Sequence, residues 1–398
     1  MTDRDVVVAS GVRTAVGKYG GGLKDVPLAD LATQVTREAV DRAGIEAGHV
    51  GHVVFGNVIH TDKRDMYLAR VATVNAGLPV ETPALTLNRL CGSGLQAIVS
   101  AAQAVMLGDT DIAVAGGAES MSRAPYWLPD GRWGQRMGDG KTVDPMVGGL
   151  TDPFNDVHMG TTADNVAEKW GVSREDQDQL AVDSHQRAAR ATEEGRFAAQ
   201  IVGVEVKGRK GTTTVDTDEH FRSDVTLDGL AKLKPAFSKE GSVTAGNSSG
   251  INDAAAAVVL MDADTARTQG IRPLGRLVAY SHAGVEPAYM GIGPVPAVRS
   301  VLEKADLKID DIDVVELNEA FAAQALAVSR DLGLNPERTN PNGSGIGLGH
   351  PIGATGAILT VKALYELERT GGRYGLVTMC IGGGQGIAAI FERMGDLT

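Results

Sequence analysis

The chain repeats itself, and the repeat restricts the folds open to it more than any other feature. Ala43-Gly-Ile45 through Val53-Val-Phe-Gly-Asn57 parallels Ala305-Asp-Leu307 through Val314-Val-Glu-Leu-Asn318, at offsets of 262 and then 261 residues. A glycine-rich loop follows each copy, Leu90-Cys-Gly-Ser-Gly94 after Asn57 and Gly349-His-Pro-Ile-Gly353 after Asn318. Each loop leads into a helical stretch and then a strand, Asp111–Ala115 or Tyr374–Met379. One doubled α/β unit explains this order. Strands alternating with helices imply a mostly parallel sheet covered on both faces.

Further segments fit the same reading. Val6–Ser10 reads as a buried strand, and Leu28, Leu31, Val35, Ala39 and Ala43 keep a helical spacing. Val53–Phe55 is a second apolar run. Leu95–Met106 is long and alanine-rich enough for a buried helix, and Asp111–Ala115 is a strand closed by Gly116-Gly117. From about Ser122 to Gly250 the alternation breaks down. Proline, tryptophan and methionine are denser between Pro125 and Pro153, a polar helical stretch runs from Thr162 to Glu194, and Lys207-Gly-Arg-Lys210 reads as a basic turn. We read this as an insertion suited to ligand contacts. Ala254–Met261 then returns to the sheet of the first half. The expected domains are 1–121 completed by 251–270, an inserted loop domain at 122–250, and a second core half at 271–398.

The formal net charge of −12 argues against nucleic-acid binding, which needs a basic footprint. An anionic ligand would need local cations, and Lys207, Arg209, Lys210, Lys232 and Lys234 supply some. The 51 glycines have no Gly-X-Y period, so a collagen helix is excluded and tight turns are indicated. The opening residues have no cationic and apolar signal pattern, no apolar run looks long enough to span a bilayer, and the last residues carry no peroxisomal address. A cytoplasmic protein without membrane partners is expected. Two cysteines are too few for a disulfide scaffold, and no Cys/His cluster has metal-site spacing.

Four residues stand in settings that suit chemistry. Cys91 lies in Asn88-Arg-Leu-Cys-Gly-Ser-Gly94, directly before a helix, where the positive end of the dipole would lower its pKa. The alternative is an inert buried thiol. Cys380 opens Cys380-Ile-Gly-Gly-Gly-Gln-Gly386 after an apolar strand, and such glycines could present N–H groups as an oxyanion hole. A dinucleotide loop fits poorly, because the spacing differs and Ile387–Glu392 looks like a strand. His350 sits in Gly347-Leu-Gly-His-Pro-Ile-Gly-Ala-Thr-Gly356, in the place that Cys91 takes in the other half. Halves packed about a pseudo-twofold axis would set Cys91 and His350 facing each other. Asn318 begins Asn318-Glu-Ala-Phe-Ala322, either as a helix cap or as an amide orienting a water or a substrate oxygen.

Taken together and in this order, the four motifs resemble those of the thiolases. The likeness extends to Gly116-Gly-Ala-Glu-Ser-Met-Ser122 and Thr244-Ala-Gly-Asn-Ser-Ser-Gly-Ile-Asn-Asp253. It is nearest to bacterial acetyl-CoA acetyltransferases and, through Phe55–His60 and Arg64–Tyr67, to β-ketothiolases that accept five-carbon substrates. The resemblance implies an α/β thiolase-like fold. Two duplicated halves with five-stranded mixed sheets would pack as a layered core, with an inserted loop domain. It implies Cys91 as nucleophile, His350 as its base, and Cys380 as acid/base at the substrate's C2 carbon. Asn318, through a water, would form one oxyanion hole with His350, and the N–H groups of Cys91 and Gly382 another. Arg222 would stack on the adenine of coenzyme A and Ser249 would bond its pantetheine arm. Ala245, Phe237, Leu150, His158 and Met159 would line the channel, and Met290 and Phe321 the acyl pocket.

The implied activity is ping-pong acyl transfer between coenzyme A thioesters, with acetyl-CoA, CoA and short 3-ketoacyl-CoA as substrates. The scheme calls for no cofactor and no metal, and the setting would be fatty acid metabolism. A homotetramer built from dimers is the implied assembly. The competing enzyme reading is a decarboxylating or HMG-CoA-type condensing enzyme, which lacks the second cysteine loop. A non-catalytic acyl-CoA or lipid carrier on the same fold is the competing reading from another class.

Overall fold

The computed structural model describes residues 4–209 and 211–394, so Lys210 of the basic turn lies outside the described residues. The chain opens with β1 (Val6–Arg13), buried along its length, and α1 (Leu28–Ala43), whose Leu28, Leu31, Val35 and Ala39 face inward. There follow β2 (His52–Gly56), α2 (Leu68–Asn75), β3 (Ala84–Leu87), α3 (Ser93–Leu107) and β4 (Ile112–Ser120). The insertion carries α4 (Met159–Trp170) and α5 (Arg174–Glu193), with two small hairpins. β5 (Asn252–Asp262) comes back to pair antiparallel with both β4 and β1. The second half then runs β6 (Gly275–Gly284), α6 (Pro294–Ala305), β7 (Val314–Leu317), α7 (Ala322–Leu332), α8 (Thr355–Thr370), β8 (Tyr374–Ile381) and β9 (Gln385–Arg393).

The strands form one sheet in the order β7-β8-β9-β6-β1-β5-β4-β2-β3, with Gly17–Lys18 added beside β5. The two halves have the same strand order and the same pairing senses. Val53 pairs parallel with Val114 as Val314 pairs parallel with Gly375, 261 residues on in both strands. The second half has four strands, and a single bridge from Val315 to Thr339 stands where β3 stands in the first. The halves join at β1 and β6 through Val7 with Arg276 and Val8 with Gly275. These two pairs interchange under a half-turn, so a pseudo-twofold axis passes between them.

Helices α3 and α8 form the middle layer. Leu95, Ile98, Val99 and Val105 of one, with Ile358, Val361 and Leu364 of the other, share a core with the inner faces of both sets of strands. α1 and α2 cover the first half on its outer face, and α6 and α7 the second. The stretch Leu90–Leu107 is long and apolar enough to cross a membrane, contrary to the expectation of no such run. Its residues Ser93–Leu107 form α3, packed at the centre of this core.

The middle helices meet at two glycines. A Cβ on Gly94 would stand 2.7 Å from the backbone N of Ala357, and one on Gly356 would stand 2.2 Å from that of Leu95. The contact is reciprocal, and it relates residue 94 to 356 at the offset of 262 seen in the sequence. Gly116 and Gly117 act differently from the expectation. They do not end β4, which runs on to Ser120. A Cβ at Gly116 would lie 2.2 Å from the carbonyl of Ala256, and one at Gly117 equally close to that of Gly353. Gly117 lets the second half's histidine loop rest on the strand.

Candidate active site

Helix crossing brings the two glycine-rich loops together, because each loop is the lead-in to one of the crossing helices. Cys91 packs beside Ile59, Met121 and Ile352, and Ile352 belongs to the His350 loop. The hydroxyl at the first position of each helix ties down the turn before it. Ser93 Oγ donates to Leu90 O at 2.7 Å and accepts from Arg89 N–H at 2.8 Å. Thr355 Oγ1 does the same for the other loop, donating to Pro351 O at 3.0 Å. Leu90 is held at φ 44°, a left-handed conformation that costs a leucine about 1 kcal/mol, directly ahead of the nucleophile candidate.

The offset of 262 makes Gly353, not His350, the counterpart of Cys91, and it makes Asn88 the counterpart of His350. The expectation of a mirrored pair was displaced by three residues, because the sequence shows two loops without showing which glycines cross.

His350 is buried, and burial pushes its pKa down to about 4, so its imidazole is neutral near pH 7. Its Nδ1 lies 2.6 Å from Thr355 Oγ1. With the single Thr355 hydroxyl hydrogen directed at Pro351 O, the imidazole becomes the donor in this pair. That arrangement puts the proton on Nδ1 and leaves Nε2 with a lone pair. Asn318 Nδ2 approaches the ring at 3.4 Å from Nε2 and 3.5 Å from Nδ1, while its Oδ1 is buried without a partner in the protein. Asn318 is not a helix cap, since α7 begins four residues later with Phe321 as its capping residue. Sequence reading missed Thr355. The available signal was a threonine five residues after the histidine, at the start of the same helix.

The cysteines lie close enough for the charge of one to act on the other. Burial pushes the Cys91 thiol up to about 11. The backbone N–H groups of Gly382 and of Cys91 itself bond the sulfur and pull the other way, without prevailing. The expected lowering by the helix dipole is thus overturned. Desolvation of a charged sulfur outweighs a dipole that starts two residues further on. Burial, and then the neighbouring Cys91, also drive the Cys380 thiol up. Both thiols rest protonated. Gly382 follows Cys380 in a hairpin whose strands pair Cys380 with Gly386, and Gly383 and Gly384 take φ of 82° and 85° there. A strand follows this loop, as expected, and not the helix a dinucleotide site needs.

Most residues assigned to the channel and acyl pocket border this cluster. Met159 caps the Gly382 loop, since a Cβ on Gly382 would stand 2.8 Å from its methyl group. Leu150 O accepts from Met159 N–H at 2.8 Å, and Leu150 also packs on the cluster that holds Cys91. His158 stacks on Phe237 at 4.6 Å, and Phe237 meets Phe321 edge-on at 6.1 Å. Met290 and Phe321 share a core with Cys380. Ser249 N–H bonds Ala320 O, beside Phe321. Ala245 and Arg222 are exposed, and Arg222 adjoins the buried His185 and the half-buried His220.

Comparison with known proteins agrees with this geometry. The thiolase N-terminal domain matches residues 6–264 and the thiolase C-terminal domain residues 271–393. The chain belongs to the thiolase family. It is 64% identical over 392 residues to the beta-ketothiolase BktB of Cupriavidus necator, covering 98% of this chain and 100% of that one. It is 51% identical over 396 residues to an acetyl-CoA acetyltransferase of Syntrophomonas wolfei, with 98% and 100% covered. Among solved structures, the acetyl-CoA acetyltransferase of Bacillus anthracis superposes with a TM-score of 0.96 at 47% identity, covering 98% of this chain and 99% of that one. Human mitochondrial 3-ketoacyl-CoA thiolase in complex with CoA gives 0.95 at 43%, with 98% of each chain covered. The fold is that of the thiolases.

Proposed function

We propose that this thiolase is an acetyl-CoA C-acyltransferase of the β-ketothiolase kind, acting on short 3-ketoacyl-CoA through an acyl group on Cys91. The observation that carries the reading is the gathering of two protonated thiols and two sulfur-directed N–H groups, with a neutral imidazole in the adjoining loop. The names of the relatives support the same activity.

Each resting protonation state suits one step. His350 Nε2 takes the Cys91 proton as the sulfur attacks the C3 keto carbon of a 3-ketoacyl-CoA. The C2–C3 bond then breaks. Its electron pair becomes the enolate of acetyl-CoA, whose C2 takes the proton of Cys380. The acyl group stays on Cys91 as a thioester. Incoming CoA gives its thiol proton to the Cys380 thiolate and attacks that thioester, which releases the shortened acyl-CoA, and Cys91 recovers its proton from His350. Atoms and charge balance over the cycle, and no metal or redox cofactor is needed. Condensation is the reverse. The N–H groups of Cys91 and Gly382 stabilise the oxyanion of the Cys91 thioester, each donor contributing on the order of 3 kcal/mol. His350 and a water on Asn318 do so for the enolate oxygen, and the free Oδ1 of Asn318 suits that role.

Leu150, His158, Met159, Phe237, Ala245 and Ser249 would bind pantetheine, with Arg222 on the adenine. Met290 and Phe321 would bound an acyl pocket sized for acetyl or propionyl groups. The inserted segment 122–250 would be the coenzyme A domain between core halves 1–121 with 251–270 and 271–398. The assembly would be a homotetramer in the cytoplasm. Trp133 and Met137 of the insertion are 88% and 94% exposed, and β3 leaves an open sheet edge, which supports association with further copies.

The test is Cys91→Ser, assayed with acetoacetyl-CoA and CoA. Thiolysis should fall by about three orders of magnitude or more, on the scale of removing an essential nucleophile. Undiminished thiolysis, or an acetyl group on another residue after incubation with acetyl-CoA, would end the proposal.

A further inference from the structure

The doubled fold gives every active-site position a counterpart, and one of these counterparts is itself a chemical group with no assigned role. Val53 and Val114 correspond to Val314 and Gly375, so Asn57 corresponds to Asn318 and Glu119 to Cys380. Gly353 corresponds to Cys91. One end of the pseudo-twofold relation therefore holds Cys91 next to Cys380, and the other holds Gly353 next to Glu119. The second pair is joined by a hydrogen bond, from Gly353 N–H to Glu119 Oε2 at 2.8 Å.

Glu119 is completely buried and accepts four donors. Oε1 takes Asn57 Nδ2 at 2.9 Å and Ile59 N–H at 3.1 Å, and Oε2 takes Val58 N–H at 3.1 Å as well as Gly353 N–H. All four lone-pair positions of a carboxylate are thus occupied by N–H groups, a set that an amide or a protonated acid cannot accept without turning a hydrogen toward a donor. The donors come from two loops. Residues 57–59 belong to the first half, and Val58 and Ile59 pack in one cluster with Cys91, while Gly353 follows His350 by three residues and precedes Thr355 by two. Among the described residues, Glu119 is the one side chain that bonds both.

We propose that Glu119 is a positioning residue for the thiolase reaction, holding the loop of His350 against the loop that backs Cys91. Burial pushes the Glu119 carboxyl up to about 8, and once ionised its charge adds to the burial that holds the Cys91 thiol protonated. The proposal rests on the reading of Cys91 as nucleophile and His350 as base. The position that carries proton chemistry in one half of the molecule carries the clamp in the other.

The experiment compares Glu119→Gln with the wild-type enzyme. Active sites are first counted by acetylation of Cys91 with acetyl-CoA, followed by intact mass. A wild-type enzyme that is not acetylated on Cys91 refutes the functional reading and not this one. Per active site, Glu119→Gln should lose about tenfold to a hundredfold in kcat for acetoacetyl-CoA thiolysis, with KM for CoA changed less than about threefold. The pH profile for alkylation of Cys91 by iodoacetamide should move to lower pH, because a negative neighbour is gone. A merely structural carboxylate would lower the melting temperature and leave both the kcat per site and the alkylation profile where they were. That result overturns the proposal. If Glu119→Gln does not fold, Asn57→Ala removes one donor and keeps the charge. It should lower kcat per site in the same direction by a smaller factor with the alkylation profile in place, and an unchanged kcat there overturns the proposal too.

Discussion

Gly356→Ala tests whether the helix crossing sets catalytic geometry or only packs the core. The added methyl would stand 2.2 Å from Leu95 N, 2.7 Å from Leu95 Cβ and 2.9 Å from Leu95 Cα, where ordinary contact begins at 3.4 Å. Two of these atoms are backbone, so no side chain can swing aside. The helices must part by about 1 Å at their N-terminal ends. Overpacking of this kind costs about 1–3 kcal/mol. Alanine returns about 0.5–1 kcal/mol of helix propensity, which leaves a net loss near 1–2 kcal/mol. The larger consequence is chemical. Cys91 lies four residues before Leu95 and His350 six before Gly356, so the same displacement separates base and nucleophile. A 1 Å misplacement can cost about a hundredfold in rate. Urea midpoints and stopped-flow acylation of Cys91 by acetyl-CoA would measure the two effects, with Gly48→Ala as control because nothing lies within 4 Å of its Cβ position. The expected result is a modest stability loss with acylation down by about two orders of magnitude. Acylation within threefold of wild type in a protein destabilised by that amount would show that the crossing does not govern the site.

Two further outcomes follow from His350 and its partner. Thr355→Val removes the acceptor at Nδ1 in nearly the same volume, so the ring loses its tautomer preference and kcat should drop about a hundredfold. Thr355→Ser should restore it, and a fully active valine variant would refute the tautomer assignment. His350 also titrates near 4 in the folded chain and near 6.5 unfolded, so between these values the unfolded chain binds the extra proton. Its stabilising contribution is complete above pH 6.5 and is lost as pH falls toward 4, by about 1.4 kcal/mol per unit. Buried Glu119, Glu316 and Glu319 have raised pKa values and oppose this trend, so the measurement is the difference between wild type and His350→Asn. Urea midpoints taken from pH 7 to pH 4.5 should diverge as the acid limit is approached, and parallel curves would refute the burial argument.

How much could be read without coordinates depends on whether a feature is local. The helix at Leu28–Ala43 and the strands at Val6, Val53 and Tyr374 were legible because burial imposes a period on side chains near in sequence. The cysteine and histidine motifs were legible as chemistry because such residues rarely sit among so many glycines without a geometric reason, whereas Asn318-Glu-Ala-Phe-Ala322 was legible only beside them. Gly116 and Gly117 were misread as a strand end because their reasons, Ala256 for the first and Gly353 for the second, lie more than a hundred residues away. The same distance hid Glu119, whose importance lies in donors from two halves of the chain. The pKa of Cys91 was misjudged for a related reason. A helix start is visible in sequence, whereas the desolvation that overrides it comes from Ile59, Met121 and Ile352.

That last reversal bears on how the duplication came to support asymmetric chemistry. Two identical halves would offer two identical pockets, each with a residue at the end of β4 or β8 and one ahead of α3 or α8. Here the two pockets have diverged into complementary parts. The Cys380 side provides N–H groups and a thiol to substrate, so it needs an open glycine hairpin. The Glu119 side is closed on all four of its donors and leaves no room for substrate. A thiolate stabilised in the resting enzyme would be a weaker nucleophile. Burial keeps Cys91 protonated, which avoids this and leaves the proton for His350 to remove. The carboxylate clamp and the proton-transferring thiol are thus two uses of one position, and each depends on the other half supplying what its own half has given up.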